Sequence, residues 1–375
     1  MKYYIIAGER SGDLHASNLV KAIKHEDSTA QVRGIGGEYL KSQGVELLFD
    51  YEQISFMGFL EVFKNLSEIK KALTRCKSDL KNFNPDVLIV VDFAGFNLRV
   101  AKFAKENNIK VYYYISPKIW AWNQSRANTI KASVDKMFVI LPFEKEFYKR
   151  FDYEVDYVGN PVYDAIASYK PDPEFKRKNQ IFDKPVIAIL PGSRKQEVQA
   201  MLHFMTSIIP SFGSFQFVIA AVSNLPKSFY EPFARQGIKV VYDQTYDLLS
   251  NSQAAVVTSG TATLETALFE VPQVVCYRTS GFTYAIAKML IKVKYISLVN
   301  LVAGEEVVKE LIQKEFNPAT LILELKKIIE PAEFRQKQIA GYKKVKAILG
   351  SSGASENTAK LMVKYLRNSQ REILN

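Results

Sequence analysis

Short, continuously apolar runs recur along this 375-residue chain, and stretches with helical patterning separate them. Runs that are apolar on both faces are typical of strands buried in a parallel sheet, because helices cover both faces of such a sheet. The runs form two groups: Tyr3–Ala7, Val87–Val91 and Val111–Ile115, then Val186–Leu190, Phe215–Ala221, Ala254–Val257 and Val274–Tyr277. Two alternating series of this kind predict an α/β protein with two doubly wound domains.

The stretch from Tyr169 to Glu174 separates the two series, and its two prolines and several charges are typical of a linker. We therefore predict an N-terminal domain over residues 1–168 and a C-terminal domain over residues 175–349, with a helix at about 350–375 packing back on the first. Ligands of doubly wound sheets bind outside the carboxyl ends of the strands. The two domains are accordingly expected to face a central cleft.

The excess of basic residues indicates an anionic partner. Lys and Arg total 50 against 39 Asp and Glu, a formal net charge of +11. Nucleic acid, a phosphate-bearing substrate and an anionic membrane surface would all fit this charge. The basic residues are dispersed rather than gathered in stripes with interleaved aromatics, so we expect no nucleic acid partner.

Hydropathy and cysteine content indicate the compartment. No run of about 18 apolar residues occurs, and the N-terminal apolar run is too short for a signal peptide. The two cysteines fit a reducing compartment. We expect a cytoplasmic protein, soluble or bound to a membrane from the cytoplasmic side. Three scattered histidines and two cysteines lack the spacing of a metal site, so we expect no metal.

Two turns of the first series could carry chemistry. The sequence AGERSGD over 7–13 allows a ligand to approach backbone at a helix N-terminus, and it is equally consistent with a tight turn capped by Ser11 or Asp13. It has neither the dinucleotide-binding nor the P-loop spacing. Asp92 ends a buried strand and could act as a general base, although a helix cap is the commoner role from position alone.

One turn of the second series contains Gly192, Ser193 and Arg194. Backbone amides at a helix N-terminus bind anions, and a guanidinium there opposes the helix dipole unless an anion is present. A diphosphate would satisfy both features. A capping serine with a nearby glutamate is the structural alternative.

A second turn in this half contains Ser259, Gly260 and Thr261. Its small hydroxyl residues suit phosphate oxygens, and Glu265 in the next turn could accept hydrogen bonds from ribose hydroxyls. An ordinary helix cap is again the alternative.

Two segments are rich in large apolar residues, over 55–63 (SFMGFLEVF) and 284–295 (YAIAKMLIKVKY). A buried core helix is the commoner explanation for the first, and a half-buried helix with snorkelling lysines explains the second as well as a membrane interface does. The alternative is a surface that contacts acyl chains or a membrane, with lysines suited to anionic headgroups.

Taken together, these segments resemble the lipid-A-disaccharide synthase family, whose opening motif reads A-G-E-x-S-G-D. Other segments follow in that family's order: GIGGEYL (34–40), MGFLEV (57–62), DFAGFN (92–97), ISPKIWAWNQSR (115–126), ILPFEKEFY (140–148), LPGSRKQE (190–197), SGTATLE (259–265) and SLVNLVAGEEVVKELIQ (297–313). The resemblance implies a GT-B fold of two Rossmann-like domains. It also implies transfer from UDP-2,3-diacylglucosamine to 2,3-diacylglucosamine 1-phosphate (lipid X) with inversion, without metal or organic cofactor.

The resemblance also implies roles for individual residues. Asp92 would be the general base, and Glu9, expected where the acceptor or the donor phosphate comes close, is a second catalytic candidate. Donor contacts are expected from Gly192, Ser193, Arg194, Ser259, Gly260, Thr261, Glu265, Asn300 and Gln313. Of these, Arg194, the 259–261 turn and Asn300 would stabilise the diphosphate, Glu265 would hold the ribose, and Gln313 would line the cleft. Acceptor or acyl contacts are expected from Ser11, Met57, Gly58, Phe59 and Val62.

Three positions depart from the family's usual pattern. Gly95 replaces a second acid after Asp92, so that acid cannot share the role of base here. Asn160 stands where histidine is common, and Val299 replaces a proline.

The rival interpretations are another GT-B enzyme, such as a UDP-N-acetylglucosamine 2-epimerase or a peptidoglycan glycosyltransferase, and a basic nucleic-acid-binding protein. For the favoured interpretation we expect docking on the anionic cytoplasmic face of an inner membrane. A homodimer is compatible with it.

Overall fold

The computed structural model describes residues 1–54, 66–181, 184–281, 284, 289, 292–330 and 332–374. The chain divides into two compact units. The first comprises Met1–Pro161 together with Ser351–Asn375, and the second comprises Val162–Gly350.

In the first unit, the described residues form a parallel sheet of seven strands in the order β3-β2-β1-β4-β5-β6-β7. The strands are β1 (Lys2–Ala7), β2 (Gln31–Gly36), β3 (Glu46–Asp50), β4 (Val87–Val91), β5 (Lys110–Tyr114), β6 (Lys136–Val139) and β7 (Asp156–Tyr157). The connecting helices are α1 (Arg10–Glu26), α2 (Glu38–Ser42), α3 (Leu66–Phe83), α4 (Ala94–Glu106), α5 (Ile119–Trp122), α6 (Arg126–Ser133) and α7 (Phe143–Lys149). The central strands β1 and β4 are buried along almost their whole length, which explains their continuous apolar sequences.

In the second unit, the described residues form a parallel sheet of six strands in the order β10-β9-β8-β11-β12-β13. The strands are β8 (Val186–Leu190), β9 (Gln216–Ala221), β10 (Lys239–Tyr242), β11 (Ser252–Thr258), β12 (Gln273–Tyr277) and β13 (Lys309–Ile312). The helices are α8 (Pro161–Ala167, starting at the boundary), α9 (Phe175–Lys178), α10 (Lys195–Thr206), α11 (Glu231–Ala234), α12 (Thr245–Ser250), α13 (Thr261–Leu268), α14 (Leu298–Ala303), α15 (Pro318–Ile329) and α16 (Ala332–Leu349).

The last helix, α17 (Ala354–Leu374), belongs to the first unit. Its Met362 and Leu366 are buried in the core that α1 and the β1 face form. The Tyr365 hydroxyl donates to the carboxylate of Asp156 on β7 at 3.1 Å. The chain therefore ends in the unit where it began.

The segment predicted as a linker lies instead on the second unit. Tyr169 packs edge-on against Tyr246 and Phe269, with ring centroids 5.5 and 5.6 Å apart, and its hydroxyl donates to Asp247. The Asp172 N–H donates to the same carboxylate at 2.8 Å. Because these contacts attach the segment to the second sheet's helices, the division falls before Val162.

Both sheets reverse their strand order once, between β1 and β4 in the first and between β8 and β11 in the second. At such a switch point the two following loops diverge to opposite faces of the sheet, and ligands bind in the crevice they leave. No helix in the part of the chain that the structure describes is long and apolar enough to cross a membrane.

Candidate functional site

The turns after β1 and β4 pack directly against each other at the first switch point. Ala7 pairs with Val91 in the parallel register, so Gly8 and Asp92 leave neighbouring strands side by side. A Cβ atom on Gly8 would lie 2.1 Å from Cδ1 of Phe93, so the Phe93 ring occupies the space that any side chain there would need. Packing thus brings the turn of Glu9 against the turn of Asp92.

Asp92 lies directly after β4, half-buried, with a left-handed backbone (φ 44°). Its N–H donates to the carbonyl of Tyr114 at 3.2 Å, and its own carbonyl accepts from Asn97 Nδ2 at 2.8 Å. Phe93, not Asp92, occupies the N-cap position of α4. Asp92 is therefore not the N-cap residue of α4, and its position at the end of β4 is compatible with a general base.

Glu9 is the N-cap residue of α1, but its side chain makes no capping bond. It accepts instead from the exposed Ser11 hydroxyl, with Ser11 Oγ 2.8 Å from Glu9 Oε1. The two side chains thus form a polar pair at the first switch point, where an acceptor hydroxyl or phosphate could exchange with the Ser11 bond.

Asp13 does not cap its own helix. Its buried carboxylate accepts from the N–H groups of Gly37 (2.8 Å), Tyr39 (3.0 Å) and Leu40 (3.2 Å), and so caps α2. Burial raises the pKa of the Asp13 carboxyl, and the three donors oppose that effect. The capping bonds of Asp13 therefore join the motifs AGERSGD and GIGGEYL, a connection that the linear sequence did not reveal.

The turns after β5 and β6 are joined by a second buried carboxyl. Glu144 accepts from Trp120 Nε1 at 3.1 Å and from the Leu141 N–H at 3.0 Å. Burial raises the pKa of Glu144 to about 7, although these donors favour the charged form. The bond anchors α5 through Trp120, while Trp122 remains 45% exposed with the Arg126 guanidinium 5.5 Å from its ring.

Large exposed apolar side chains of the first unit lie on helices that begin at one edge of its sheet. Among its described residues these are Leu14, Tyr39 and Trp122, on helices that follow β1, β2 and β5. All three helices begin at the carboxyl edge of the sheet. The residues expected to contact acyl chains, Met57, Gly58, Phe59 and Val62, lie outside the described residues, as does half of the 284–295 segment.

At the second switch point, the turn after β8 is open. Gly192 has φ 105°, and a Cβ atom there would lie 2.6 Å from Glu197 Oε2, so glycine is required. Ser193 and Arg194 are exposed, and Arg194 Nη1 lies 3.4 Å from Glu197 Oε1. Burial raises the pKa of Tyr277 at the end of β12. The negative charge of Glu197 raises this pKa further, and the positive charge of Arg194 lowers it.

The turn after β11 presents a helix N-terminus, with Gly260 as the N-cap of α13. Ser259 has its N–H bonded to the carbonyl of Cys276 (3.1 Å) and its hydroxyl to that of Ile296 (2.8 Å). Its donors are thus already used. The first amides of a helix have no partner within it, so an anion here would be bound by the amides from Gly260 onward and the exposed Thr261 hydroxyl.

Glu265 lies on α13, one turn further, and is half-buried. Its Oε1 accepts from the Tyr246 hydroxyl at 3.1 Å. Burial raises the pKa of the Glu265 carboxyl, and the Tyr246 bond opposes the rise. One carboxylate oxygen is thus held by Tyr246, which leaves Oε2 for a ribose hydroxyl.

The structure assigns Asn300 a different role from the expected contact with the diphosphate. The side chain is fully buried, and its Nδ2 donates to Val308 O and Glu310 Oε1, both at 2.9 Å. Its Oδ1 accepts from the N–H groups of Val307 (2.8 Å) and Val308 (2.9 Å). A carboxamide has two donors and two acceptor sites, so none remains for a ligand. Asn300 holds the segment that leads into β13.

Gln313 follows β13 with φ 54°, and its N–H donates to the carbonyl of Tyr277 at 2.9 Å. Its Nε2 is buried and has no hydrogen-bond partner among the described residues. An unpaired buried donor costs about 1–3 kcal/mol, which a bound polar group would offset. This geometry is compatible with the expected ligand-facing role.

The sequence interpretation missed Tyr113, Glu144 and Tyr246, and it gave Asn97 no role. Two of them carried a signal, Asn97 through its place in the DFAGFN motif and Glu144 through its place in ILPFEKEFY, whereas Tyr113 and Tyr246 lie in no motif. Within the described ranges, no group of three or more His, Cys, Asp or Glu side chains could hold a metal ion.

Two Rossmann-like units, each with one switch point in its parallel sheet, belong to the GT-B fold class. Two solved structures share this fold. The UDP-GlcNAc 2-epimerase from Neisseria meningitidis bound to UDP-GlcNAc has a TM-score of 0.59 at 16% identity, covering 98% of this chain and 100% of that one. The calicheamicin glycosyltransferase CalG4 has a TM-score of 0.58 at 13% identity, covering 98% of each. At these identities the likeness shows the fold alone.

Sequence comparison gives the family. A profile described as lipid-A-disaccharide synthetase matches residues 3–364. The lipid-A-disaccharide synthase of Syntrophus aciditrophicus (strain SB) is 37% identical over 374 residues, covering 97% of this chain and 98% of the relative. The chain belongs to the lipid-A-disaccharide synthase family, which confirms the resemblance and the GT-B fold. It is a glycosyltransferase of lipid A biosynthesis that uses a UDP-sugar.

The rival interpretations are not favoured. The likeness to an epimerase is one of fold at 16% identity, whereas the family match extends over nearly the whole chain. The same match leaves the net charge of +11 without any need for a nucleic acid partner.

Proposed function

We propose that the protein transfers 2,3-diacylglucosamine from UDP-2,3-diacylglucosamine to the 6-hydroxyl of 2,3-diacylglucosamine 1-phosphate. The products are the β-1,6-linked tetraacyl disaccharide 1-phosphate and UDP. The observation that carries the proposal is the family match over residues 3–364. Each switch point also supports it, with a strand-end carboxylate in the first unit and an anion-type turn in the second.

In the proposed reaction, Asp92 removes the proton of the acceptor 6-hydroxyl as that oxygen attacks C1 of the donor sugar. The bond from C1 to the diphosphate oxygen breaks at the opposite side, so the anomeric centre inverts in one displacement. One base is enough, because a single proton leaves the acceptor hydroxyl. Glu9 and Ser11 lie on the adjoining turn, where their hydrogen-bonded pair would orient the acceptor.

The leaving UDP carries new negative charge, and the second unit supplies donors for it. Three groups are suited to bind the diphosphate through hydrogen bonds. They are the helix N-terminal amides at Gly260 and Thr261, the Gly192–Ser193 turn and the exposed Arg194 guanidinium. Glu265, held by Tyr246, would accept from the ribose. Gln313 would use its unpaired Nε2 on the donor.

The test is acceptor-dependent release of UDP. Purified protein is incubated with both acylated substrates, with each substrate alone, and after heat inactivation, and the lipid product is identified by mass. We expect UDP and disaccharide only when both substrates are present. No UDP above the heat-inactivated control would refute the proposal, and turnover of the donor without acceptor would indicate an epimerase or hydrolase.

We further propose that the first unit docks on the anionic cytoplasmic face of the inner membrane through the carboxyl edge that carries Leu14, Tyr39 and Trp122. Arg126 beside Trp122 adds positive charge at this edge. Sedimentation with anionic vesicles should exceed that with zwitterionic ones and weaken at high salt.

The matched variants for docking are Trp122→Ser and Phe334→Ser, since Phe334 is exposed to a similar extent (49%) on the second unit. Trp122→Ser should reduce the bound fraction several-fold, and Phe334→Ser should not. Equal binding of both variants and wild type would contradict this docking surface.

A further inference from the structure

Asp92 and Phe93 are consecutive non-glycine residues with left-handed backbone, at φ 44° and 46°. Side chains rarely adopt this conformation, because Cβ crowds the following carbonyl at a cost of about 1–2 kcal/mol per residue. Such strain persists only where the surroundings hold it, and it concentrates at functional sites. The contacts that hold this turn therefore bear on how Asp92 works.

The Asp92 carbonyl receives two side-chain donors. Asn97, fully buried in the first turns of α4, donates from Nδ2 to Asp92 O at 2.8 Å and to Val91 O at 3.0 Å. The hydroxyl of Tyr113, fully buried on the neighbouring strand β5, donates to the same Asp92 oxygen. The peptide plane after Asp92 is thus fixed from α4 and from β5.

Tyr113 remains a neutral donor at all ordinary pH values. Burial raises the pKa of its hydroxyl well above the usual value, and the charges of Asp92 and Tyr148 add to the rise, while Asn97 and Arg126 oppose it.

We propose that Asn97 and Tyr113 are positioning residues that hold the Asp92 backbone in its left-handed conformation and so aim the carboxylate at the acceptor hydroxyl. This inference rests on the proposed function, in which Asp92 is the general base. Displacement of a reacting group by about 1 Å lowers a rate on the order of 100-fold. We call the two hydrogen bonds from Asn97 and Tyr113 to the Asp92 carbonyl the clamp. Loss of the clamp should therefore lower kcat while leaving substrate binding intact.

The main experiment compares Tyr113→Phe with Tyr112→Phe in the acceptor-dependent assay. Both tyrosines are buried on β5, and Tyr112 points to the opposite face of the sheet, where it packs edge-on against Phe138. Tyr113→Phe removes a single oxygen and leaves the Asn97 bond to Asp92. We expect kcat to fall about 10–100-fold with KM for both substrates within about 2-fold, and Tyr112→Phe to resemble wild type.

A double variant tests whether the effect passes through Asp92. In the Asp92→Asn background, Tyr113→Phe should lower kcat no further, because no base remains to be aimed. Asn97→Ser should reproduce the kcat loss, and melting curves identify any variant that is merely unfolded. If Asn97→Ser fails to fold, the comparison of Tyr113→Phe with Tyr112→Phe and the double variant still test the inference.

The outcomes separate this inference from the proposed function. Absence of UDP release by wild type would remove the proposed function, whereas full activity of Asp92→Asn would leave the reaction and remove Asp92 as its base, and the positioning role with it. An active wild type and inactive Asp92→Asn, combined with equal kcat for Tyr113→Phe and Tyr112→Phe, would overturn the clamp alone. So would an additive loss in the double variant.

Discussion

The two switch points differ in how firmly each holds the residues that follow its central strand. In the first unit, Asp92 receives donors from α4 and β5, and the Phe93 ring covers Gly8. In the second unit, Ser193 and Arg194 are exposed, and the ion pair of Arg194 with Glu197 spans 3.4 Å. The first turn is held rigidly, and the second is open.

This difference matches two kinds of work. A group that moves a proton must be held close to its productive geometry by its surroundings. A diphosphate is instead bound by several donors at once, of which a guanidinium on a long side chain is one that can adjust. The rigid turn is thus suited to chemistry and the open turn to anion binding. Asp92→Asn and Arg194→Ala test that assignment, and Asn300→Ala and Gly95→Asp test whether another residue of the same unit shares the work.

The largest effect is expected from Asp92→Asn, which preserves shape and removes the base. We expect kcat to fall about 10²–10⁴-fold, the range of general base catalysis. The melting temperature and UDP affinity should be unchanged. The control is Asp152→Asn, another aspartate with left-handed backbone (φ 50°), because asparagine tolerates that conformation. Near-normal turnover of Asp92→Asn would remove it as the base.

Next in size is the stability loss expected from Asn300→Ala. The substitution leaves the buried Val308 N–H without its acceptor, at about 1–3 kcal/mol, and also removes the two hydrogen bonds that Asn300 Nδ2 donates, to Val308 O and Glu310 Oε1. Chemical unfolding should show the loss, while UDP affinity of the folded protein stays close to that of wild type. Weaker UDP binding at full stability would instead make Asn300 a direct ligand.

A smaller effect, on binding, is expected from Arg194→Ala. Losing a charge-assisted hydrogen bond to the diphosphate costs about 1.5–3 kcal/mol, so the Kd for UDP should rise about 10–100-fold. Stability should hardly change, since the exposed pair with Glu197 contributes little. Arg235→Ala is the matched control, because Arg235 also forms an exposed 3.4 Å pair, with Glu231. Similar Kd values for the two variants would contradict the anion site.

The smallest effect is expected from Gly95→Asp, which restores the acid usual in the family. A Cβ atom at Gly95 meets nothing within 4 Å, and the first turn of α4 contains no acid. An aspartate there should raise the free energy of unfolding by about 0.3–1 kcal/mol through the helix dipole. Turnover should stay within about 2-fold of wild type. A large change in kcat would mean that a second acid near Asp92 takes part in catalysis.

Much of the architecture could be predicted from apolar runs. Val87–Val91 and Val186–Leu190 were predicted as strands and are β4 and β8 with the same bounds, since both are buried throughout. Strands at the sheet edges were not predicted. On β3 and β10 most side chains are only half-buried, so their sequences lack a continuous apolar run.

By itself the sequence determined the two α/β series, the turns that end their strands and the family. Burial on both faces of a parallel strand requires an apolar run, and each strand end is marked by its turn. Only the tertiary structure decided which partner each polar group has. Asp13 caps a helix that begins 25 residues later, and Tyr113 donates to Asp92 from the neighbouring strand. Asn300 uses every donor and acceptor of its amide to hold the segment before β13. Parallel strands bring such groups together across the intervening helices, so no local spacing encodes the pairing.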